Sequence, residues 1–259
     1  MAPGRMMHQL QARLESRREV GGAMWVLAFA APAIAADAEP GQFVNLLLRP
    51  GPLLRRPFSV YRAERGQVEV LVRDVGVGTA QLVRMREGDS LSMLGPLGHG
   101  FGLDPEGGPV ALVSGGLGVA PMPLAAARAR DLGLDVHWVH GARTASELCT
   151  EWQGDSVHWA TDDGSQGFSG SALDAIPAVA GQVLACGPNP MLAALARKRP
   201  DAQVAVEAYM ACGTGVCLGC AVPRTEGRYD RACTEGPVYQ ADSIRWEDLP
   251  LSLPYRAGS

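Results

Sequence analysis

Hydrophobic residues in the first hundred positions fall into short runs separated by glycine and proline. The runs lie at residues 23–30, 43–48, 58–62, 68–73 and 90–94. Short, regularly spaced strands of this kind are typical of a small antiparallel barrel. We therefore predict a β-barrel domain over residues 1–105, closed by a tight turn at residues 95–98. A helix is predicted at residues 77–85, where Gly76 to Thr79 offer free N–H groups to a phosphate.

The middle of the chain has a different hydrophobic pattern. A continuous apolar run at residues 110–114 leads into Gly115, Gly116 and Gly118, and a helical stretch follows at residues 122–132. An uninterrupted apolar strand is typical of a buried parallel sheet. A glycine turn between strand and helix lets the backbone approach a pyrophosphate closely. With strands at residues 135–140, 157–160 and 182–185 and a helix at 192–199, this pattern predicts a parallel-sheet α/β nucleotide-binding domain over residues 106–203.

The loops after these strands indicate which nucleotide binds, because ligands of open α/β sheets lie beyond the carboxyl ends of the strands. Asp162 and Asp163 follow the third strand, and Arg143 is the nearby cation after the second. A 2′-phosphate needs a basic pocket, so the acidic pair favours NAD over NADP.

Composition excludes several classes of function. The 259 residues are 47% hydrophobic and 19% charged, with a formal net charge of −4, which gives no electrostatic footprint for nucleic acid. The start of the chain resembles a signal peptide around Ala33 to Ala35, but Glu15 and Glu19 interrupt its basic region, and cleavage would remove a predicted strand. No apolar stretch reaches the ~18–20 residues of a membrane helix. We expect neither nucleic acid nor membrane as a partner.

Four cysteines near the C-terminus carry the most specific signal. Cys212, Cys217 and Cys220 have C-x4-C-x2-C spacing, and Cys233 follows after twelve residues. This spacing is that of plant-type [2Fe–2S] clusters. A structural zinc site is the alternative, although zinc ribbons usually contain two CxxC pairs and this segment contains one. We predict a cluster-binding domain over residues 204–259, with a closing strand at 204–208 leading into it.

The remaining chemistry is sparse. Four thiolates reserved for a metal suit a reducing compartment, so we expect the cytoplasm. We predict no catalytic acid or base, and we place the five histidines on the surface. From the residues alone, Arg56 could be a surface charge, Phe58 a core residue and Cys186 a small buried residue at a strand end.

The order of the motifs resembles that of the ferredoxin–NAD(P) reductase superfamily. The residues that carry the resemblance are Arg56-Pro57-Phe58-Ser59, Gly78-Thr79 and Cys186-Gly187-Pro188. The resemblance implies that Arg56 and Ser59 hold the phosphate of a flavin and that Phe58, in place of the usual tyrosine, lies against its ring. It also implies that Gly78 and Thr79 cap the pyrophosphate and that Cys186 and Gly187 lie beside the nicotinamide. Arg73, the last residue of a predicted strand, is included in the expected flavin site.

The cysteine segment sharpens the resemblance to one family. Its cysteines and the later Glu235-Gly236-Pro237-Val238 are similar to the electron-transfer subunit of class 1B dihydroorotate dehydrogenases. The small subunit of NADH-dependent ferredoxin–NADP oxidoreductase is similar in layout but has Asp at the position of Cys212. The resemblance to the dihydroorotate family implies FAD, a [2Fe–2S] cluster and NAD as cofactors.

The same resemblance implies a partner and a direction of electron flow. Electrons would pass from the FMN of a dihydroorotate dehydrogenase catalytic subunit through the cluster and FAD to NAD+, as dihydroorotate becomes orotate in pyrimidine biosynthesis. The dihydroorotate site would lie on the partner, because this chain has no room for an additional (β/α)8 barrel. The resemblance implies a heterotetramer with two copies of each subunit. The alternative is an NAD(P)H-dependent flavin/iron–sulfur reductase subunit that serves another acceptor, such as a ferredoxin, an oxygenase or a hydrogenase-type complex.

Overall fold

The computed structural model describes residues 6–151 and 157–250. The strands in the described residues are β1 (His8–Glu19), β2 (Met24–Ala30), β3 (Phe43–Leu47), β4 (Arg56–Glu64), β5 (Gln67–Arg73), β6 (Ser90–Leu97), β7 (Val110–Gly115), β8 (Val136–Ala142), β9 (Val157–Thr161), β10 (Phe168–Ser169), β11 (Gln182–Cys186), β12 (Gln203–Ala205), β13 (Ala221–Pro223), β14 (Tyr229–Arg231) and β15 (Val238–Gln240). The α-helices are α1 (Pro32–Asp37), α2 (Val77–Val83), α3 (Met122–Asp131) and α4 (Asn189–Lys198).

The first unit is a closed antiparallel barrel in the order β1-β2-β5-β4-β3-β6, as the sequence predicts. Side chains that point inward from every strand fill it, among them Leu27, Phe29 and Met93. The long strand β1 is not evident in the sequence, because only Ala12 and Leu14 of its twelve residues are buried. Helix α1 is also missed, and the signal-like Ala33 to Ala35 lie inside it.

The predicted turn at residues 95–98 is wrong. Strand β6 continues to Leu97, which pairs with Phe43 of β3, while Gly95 pairs with His8 of β1. Glycine suits this position because the side chain of Val44 packs against it from β3, and a Cβ would lie 2.8 Å from Val44 Cγ1. The β3–β6 register also shifts here, which accommodates a proline within a strand.

The second unit is a seven-stranded sheet in the order β10-β9-β8-β7-β11-β12-β15. The first six strands of this order, from β10 to β12, pair in parallel. Strand β15 joins the edge of the sheet antiparallel to β12. The chain moves outward from β7 to β10 and then returns to β11 on the other side of β7. The crevice between the ends of β7 and β11 is therefore a topological switch point, where ligands of such sheets bind.

Besides the end of β6, two element boundaries differ from the sequence-based prediction by three residues, and the others differ by no more than two. Helix α4 begins at Asn189, three residues before the predicted start, because Pro190 fits the first helical turn, where its missing N–H costs nothing. The strand predicted at 204–208 is only Gln203–Ala205. Beyond it the chain leaves the sheet toward the cysteine segment.

The barrel and the sheet are joined by a network of charged hydrogen bonds. Arg18 of β1 donates to both carboxylate oxygens of Glu69 at 2.8 Å and to Glu151 at 2.8 Å. Tyr61 of the barrel also donates its hydroxyl to Glu151. The Thr150 N–H bonds to the Val20 carbonyl at 2.8 Å. The segment that follows β8 is thereby anchored to the barrel. Within the described residues, no helix has both the length and the apolar character needed to cross a bilayer.

The surface assignment is wrong for His140, which is 1% exposed in β8. Its Nδ1 lies 2.9 Å from Ser114 Oγ, and its Nε2 accepts the Cys149 N–H at 3.4 Å. Since Nε2 accepts, the proton of the neutral ring is on Nδ1 and is donated to Ser114. Burial lowers the pKa of His140 to about 4. A parallel strand covered on both faces is buried even at its polar positions, and no local pattern reveals this.

His140 makes stability depend on pH. The unfolded chain binds a proton near pH 6.5 and the folded chain near 4, so acid stabilises the unfolded state across that interval. We expect the free energy of unfolding to fall by an amount on the order of 1 kcal/mol between pH 7.5 and 5.5 through this residue alone. Urea unfolding followed by circular dichroism measures the loss. The His140→Gln variant should lose less stability over the interval than the wild type, and an equal loss would refute the assignment.

Candidate functional site

The start of β4 and the start of α2 converge on one face of the barrel. The guanidinium of Arg56 lies against Gly78, and a Cβ added at Gly78 would overlap its Nε and Cζ atoms. Pro57 and Ser59 lie on the same strand, paired with Asn45 and Phe43 of β3. The structure thus brings together two motifs that lie about twenty residues apart in the sequence. Their role in holding a flavin phosphate stays a prediction.

Two side chains of the predicted flavin site differ in what they can offer. Thr79 Oγ1 accepts the N–H groups of Val75 and Gly76 at 2.9 and 3.0 Å and donates to the Gly76 carbonyl at 2.9 Å. Its hydroxyl therefore stabilises the loop, and this segment offers a ligand its backbone N–H groups instead of the Thr79 hydroxyl. Phe58 is half-buried and packs one side against the barrel core, which leaves part of its ring for a planar ligand.

Arg73 supports the presence of an anion at this face. It ends β5, and burial lowers its pKa. Among the described residues its Nε atom is buried without a hydrogen-bond partner, although its Nη2 reaches the Glu147 carbonyl at 3.5 Å. A buried donor without a partner is costly unless a ligand supplies the acceptor. A phosphate of a flavin dinucleotide is an acceptor of the right charge.

The glycine turn and the Cys186 turn form the floor of the nucleotide crevice. Ser114 of β7 pairs with Cys186 of β11, and a Cβ at Gly118 would overlap the Cys186 carbonyl. Gly116 has φ +53°, a conformation that favours glycine. Gly115 and Gly187 also lie together, since a Cβ on Gly187 would be 3.2 Å from Gly115 N. The turns expected to hold the pyrophosphate and the nicotinamide are therefore adjacent.

A half-buried carboxylate, that of Glu207, lies near Cys186. Burial raises the pKa of the Cys186 thiol to about 12, and the charge of Glu207 adds to this effect. Burial also raises the pKa of Glu207, which is fixed by Asn189 through its backbone N–H (3.1 Å) and carbonyl (3.1 Å). Cys186 is thus a neutral side chain at neutral pH. Sequence reasoning missed Glu207, although a lone acid in the apolar run at 204–211 was a usable signal.

Asp162 lies apart from this crevice. It follows β9, is exposed, and its N–H bonds to the Ala142 carbonyl at 3.1 Å. It sits at the carboxyl edge of β8 and β9 near Arg143, so its role in nucleotide binding stays a prediction.

The cysteine loop holds its four thiols as two neighbouring pairs, Cys212 with Cys217 and Cys220 with Cys233. A [2Fe–2S] cluster needs two thiolates on each of its two irons, whereas zinc needs its ligands around one ion. The donor set therefore fits the cluster better than zinc.

Backbone N–H groups point at the sulfurs. Cys212 Sγ accepts from Thr214 and Cys217 at 3.4 Å each, and Cys233 Sγ accepts from Gly215 at 3.2 Å. Burial opposes ionisation of Cys212, but these N–H groups outweigh it and lower its pKa to about 6. Burial and the neighbouring Cys220 raise the pKa of Cys233 to about 12. Hydrogen bonds to the sulfurs are one means by which proteins tune such clusters.

An ion pair between Arg231 and Glu235 supports the cysteine loop. Arg231 donates to the Gly215 carbonyl at 3.1 Å and from Nε to Glu235 at 3.0 Å. The Arg231 guanidinium lowers the pKa of Glu235 to about 2. The pair therefore stays ionised throughout the physiological range and fixes the distance between the loop and β14.

Replacing Gly78 with alanine tests the flavin site. The added Cβ would displace the Arg56 guanidinium, which is a movable side-chain end, so the fold survives and the phosphate contact is lost. We expect flavin affinity to fall at least ~10-fold, since a hydrogen bond to a charged group contributes about 1.5–3 kcal/mol. Flavin fluorescence during titration of the deflavinated protein measures it.

The Gly102→Ala variant is the matched control. Its Cβ would meet nothing closer than Gln203 Oε1 at 3.7 Å, an ordinary contact. Unchanged flavin affinity in Gly78→Ala, or an equal loss in both variants, would contradict the placement of Arg56 at the phosphate.

Comparison with protein families agrees with this geometry. Residues 11–101 match the oxidoreductase FAD-binding domain, and residues 207–245 match the iron–sulfur cluster binding domain of dihydroorotate dehydrogenase B. These matches confirm the predicted FAD-binding barrel and the iron–sulfur segment.

Solved structures share the fold. The chain superposes with a TM-score of 0.80 and 27% identity on an NADH-dependent reduced ferredoxin-NADP oxidoreductase studied for flavin-based electron bifurcation, covering 92% of this chain and 91% of that one. Phthalate dioxygenase reductase gives a TM-score of 0.61 at 17% identity, covering 84% and 87%, which shows the fold alone.

Sequence relatives cover the full arrangement of barrel, sheet and cysteine loop. The dihydroorotate dehydrogenase B (NAD(+)) electron transfer subunit of Geobacillus thermodenitrificans (strain NG80-2) is 38% identical over 88% of this chain and 95% of its own length. The same subunit of Bacillus caldolyticus is 36% identical over 92% and 99%. Similarity at this level across nearly the whole length shows common membership, and the chain belongs to the family of dihydroorotate dehydrogenase B (NAD(+)) electron transfer subunits.

Proposed function

We propose that this chain passes electrons from the FMN of a dihydroorotate-oxidising partner through a [2Fe–2S] cluster and FAD to NAD+. The observation that carries the proposal is a direct contact between the cysteine loop and the barrel. Asn45 Nδ2 of β3 donates to the Cys212 carbonyl at 3.1 Å, and a Cβ at Gly213 would overlap the Asn45 amide. Strand β3 is also the neighbour of β4, which carries the predicted flavin residues.

The chain's own contribution is placement. When bound, FAD supplies hydride chemistry and single-electron release, and the cluster supplies one-electron transfer. Arg56, Arg73 and Gly78 are the residues that would hold the flavin, and the four cysteines would hold the irons. Gly118 and the Cys186 turn would orient the nicotinamide at the switch point. The neutral Cys186 would exclude water from the crevice without taking a proton from the substrate.

The dihydroorotate site is proposed to lie on the partner subunit, because the described residues form a closed antiparallel barrel, a seven-stranded sheet and the cysteine segment, and none of these is a (β/α)8 barrel. Val216 and Leu218, which flank the exposed Cys217, are 82% and 64% exposed. A large apolar exposure beside an electron carrier supports docking of a partner at this loop. We propose two copies of each subunit in the assembly and, from the four cysteines kept for metal, a reducing cytoplasmic setting.

A reductase subunit that serves a different acceptor, such as a ferredoxin, an oxygenase or a hydrogenase-type complex, is the second candidate. The similarity to the NADH-dependent ferredoxin-NADP oxidoreductase favours keeping it. Cys212 favours the dihydroorotate assignment, as the first of four cysteine ligands. The partner that accompanies the chain decides between the two.

Anaerobic co-purification from the native source tests the proposal. We expect FAD, two irons and two acid-labile sulfides per chain, and an FMN-containing subunit in equal amount. The complex should reduce NAD+ with dihydroorotate. The second candidate would be supported by a different result. In that case the preparation contains flavin and cluster, NADH bleaches the flavin, another acceptor protein copurifies, and dihydroorotate is not oxidised. A colourless protein loaded with zinc would refute both.

The Asn45 contact predicts a division between two rates. Replacing Asn45 with leucine removes the hydrogen bond to Cys212 and leaves the flavin and nucleotide residues in place. We expect NADH to reduce the flavin at the wild-type rate, while reduction of the cluster slows about 10-fold or more as the loop shifts. Stopped-flow absorbance and electron paramagnetic resonance follow the two steps separately. Equal slowing of both steps would indicate general damage and contradict the assigned role.

A further inference from the structure

Arg143 occupies the position where nucleotide-binding sheets distinguish NADP from NAD. It directly follows β8, the strand next to β7 and its glycine turn. In sheets of this kind, the end of the second strand meets the adenosine ribose, where an acid binds the 2′-hydroxyl of NAD or an arginine accommodates the 2′-phosphate of NADP. By this rule alone, Arg143 would favour NADP.

The guanidinium of Arg143 is already bound to a carboxylate. Its Nε donates to Glu147 Oε2 at 3.1 Å and its Nη2 to Oε1 at 2.5 Å, a bidentate pair. This pairing and the nearby charge of Asp162 raise the pKa of Arg143. The Arg143 side chain is 78% exposed, so the carboxylate competes with a phosphate for the guanidinium: Arg143 has to give up its pair with Glu147 before it can bind a phosphate in the same bidentate way.

The surrounding backbone keeps the pair in place. The Asp163 N–H bonds to the Arg143 carbonyl at 3.2 Å, and the Ala145 N–H bonds to Ser165 Oγ at 2.7 Å. Asp163 accepts from the N–H and hydroxyl of Ser165 at 3.0 and 2.6 Å. Asp163 is therefore used within its own turn, and the acids that face Arg143 are Glu147 and Asp162.

We propose that Glu147 determines the preference for NAD by binding Arg143 and so withholding it from the 2′-phosphate of NADP. The unsubstituted 2′-hydroxyl of NAD needs no cation. A 2′-phosphate would instead meet the carboxylates of Glu147 and Asp162 and an arginine that is already paired. This inference rests on the proposed NAD-linked function and names the residue that sets its nucleotide specificity.

The Glu147→Gln variant tests the inference in the intact flavin- and cluster-loaded protein. The amide keeps the size of the side chain and removes the charge, so Arg143 becomes free to bind phosphate. We expect the ratio of kcat/KM for NADPH to that for NADH, measured by flavin bleaching, to rise about 2- to 5-fold, which is the range that an exposed ion pair supports. Binding of 2′,5′-ADP relative to 5′-AMP, measured by calorimetry, should tighten by a similar factor without any turnover.

Two further variants make the outcome specific. In Glu147→Gln/Arg143→Gln the gain should disappear, because the released guanidinium is its source. Asp201→Asn is the matched control, since Arg199 and Asp201 form another bidentate surface pair at 3.0 and 2.8 Å, and its ratio should equal that of the wild type. A Glu147→Gln ratio that does not change, or a gain that survives loss of Arg143, would overturn the inference.

The same data separate this inference from the proposed function. If NADH bleaches the flavin of the wild-type protein, but the ratio of kcat/KM for NADPH to that for NADH is unchanged in Glu147→Gln, the role of Glu147 alone is overturned. If neither nucleotide bleaches the flavin of the wild-type protein, the NAD-linked function is overturned, and this inference with it.

Discussion

The hydrogen bond between Asn45 and the Cys212 carbonyl is a point where the flavin barrel meets the cluster loop, and His99 adds a second contact through the Thr234 carbonyl at 2.6 Å. Asn45 is fully buried in a strand whose neighbours are apolar, and its Oδ1 has no partner within the described residues. A buried amide that uses only part of its capacity is costly, so a role beyond barrel stability explains its presence. By holding the loop against β3, it fixes the separation between the two redox sites. Electron transfer depends on that separation more than on any chemical group of the protein.

The second constraint is the closeness of two backbone turns. Gly118 lies against the Cys186 carbonyl so tightly that no side chain fits between them. The crevice for the nucleotide is thus built from main-chain atoms, and its shape is set by the pairing of β7 with β11. The charged network of Arg18, Glu69 and Glu151 then fixes this crevice relative to the barrel. Bidentate, partly buried arginine pairs suit such a junction, since they specify orientation as well as proximity.

Local motifs explain how much of this arrangement was predictable from the sequence. The cysteine spacing, the glycine turn and the strand runs each encode structure over a few residues, and the matched families and the fold confirm the units they predict. Contacts between distant segments were not predictable. Asn45 reaches a residue 167 positions away. His140 is buried because other elements cover β8, and Gly95 lies in a strand because β1 and β3 flank it. The binding roles of Arg56, Arg73 and Asp162 are still predictions, because contact with a ligand is what defines them.

Strand β15 gives the architecture a consequence for how the chain is assembled. It follows the last cysteine, yet it pairs with β12 at the edge of the nucleotide sheet. The sheet therefore stays unfinished on the ribosome until the segment that follows the cysteine loop has been made. A chain shortened before Val238 would leave β12 as an open edge, and unpaired edges recruit strands from other molecules. The cysteine segment is thus joined to the nucleotide sheet through β15. It is therefore poorly suited to transfer, as a separate domain, from one reductase to another.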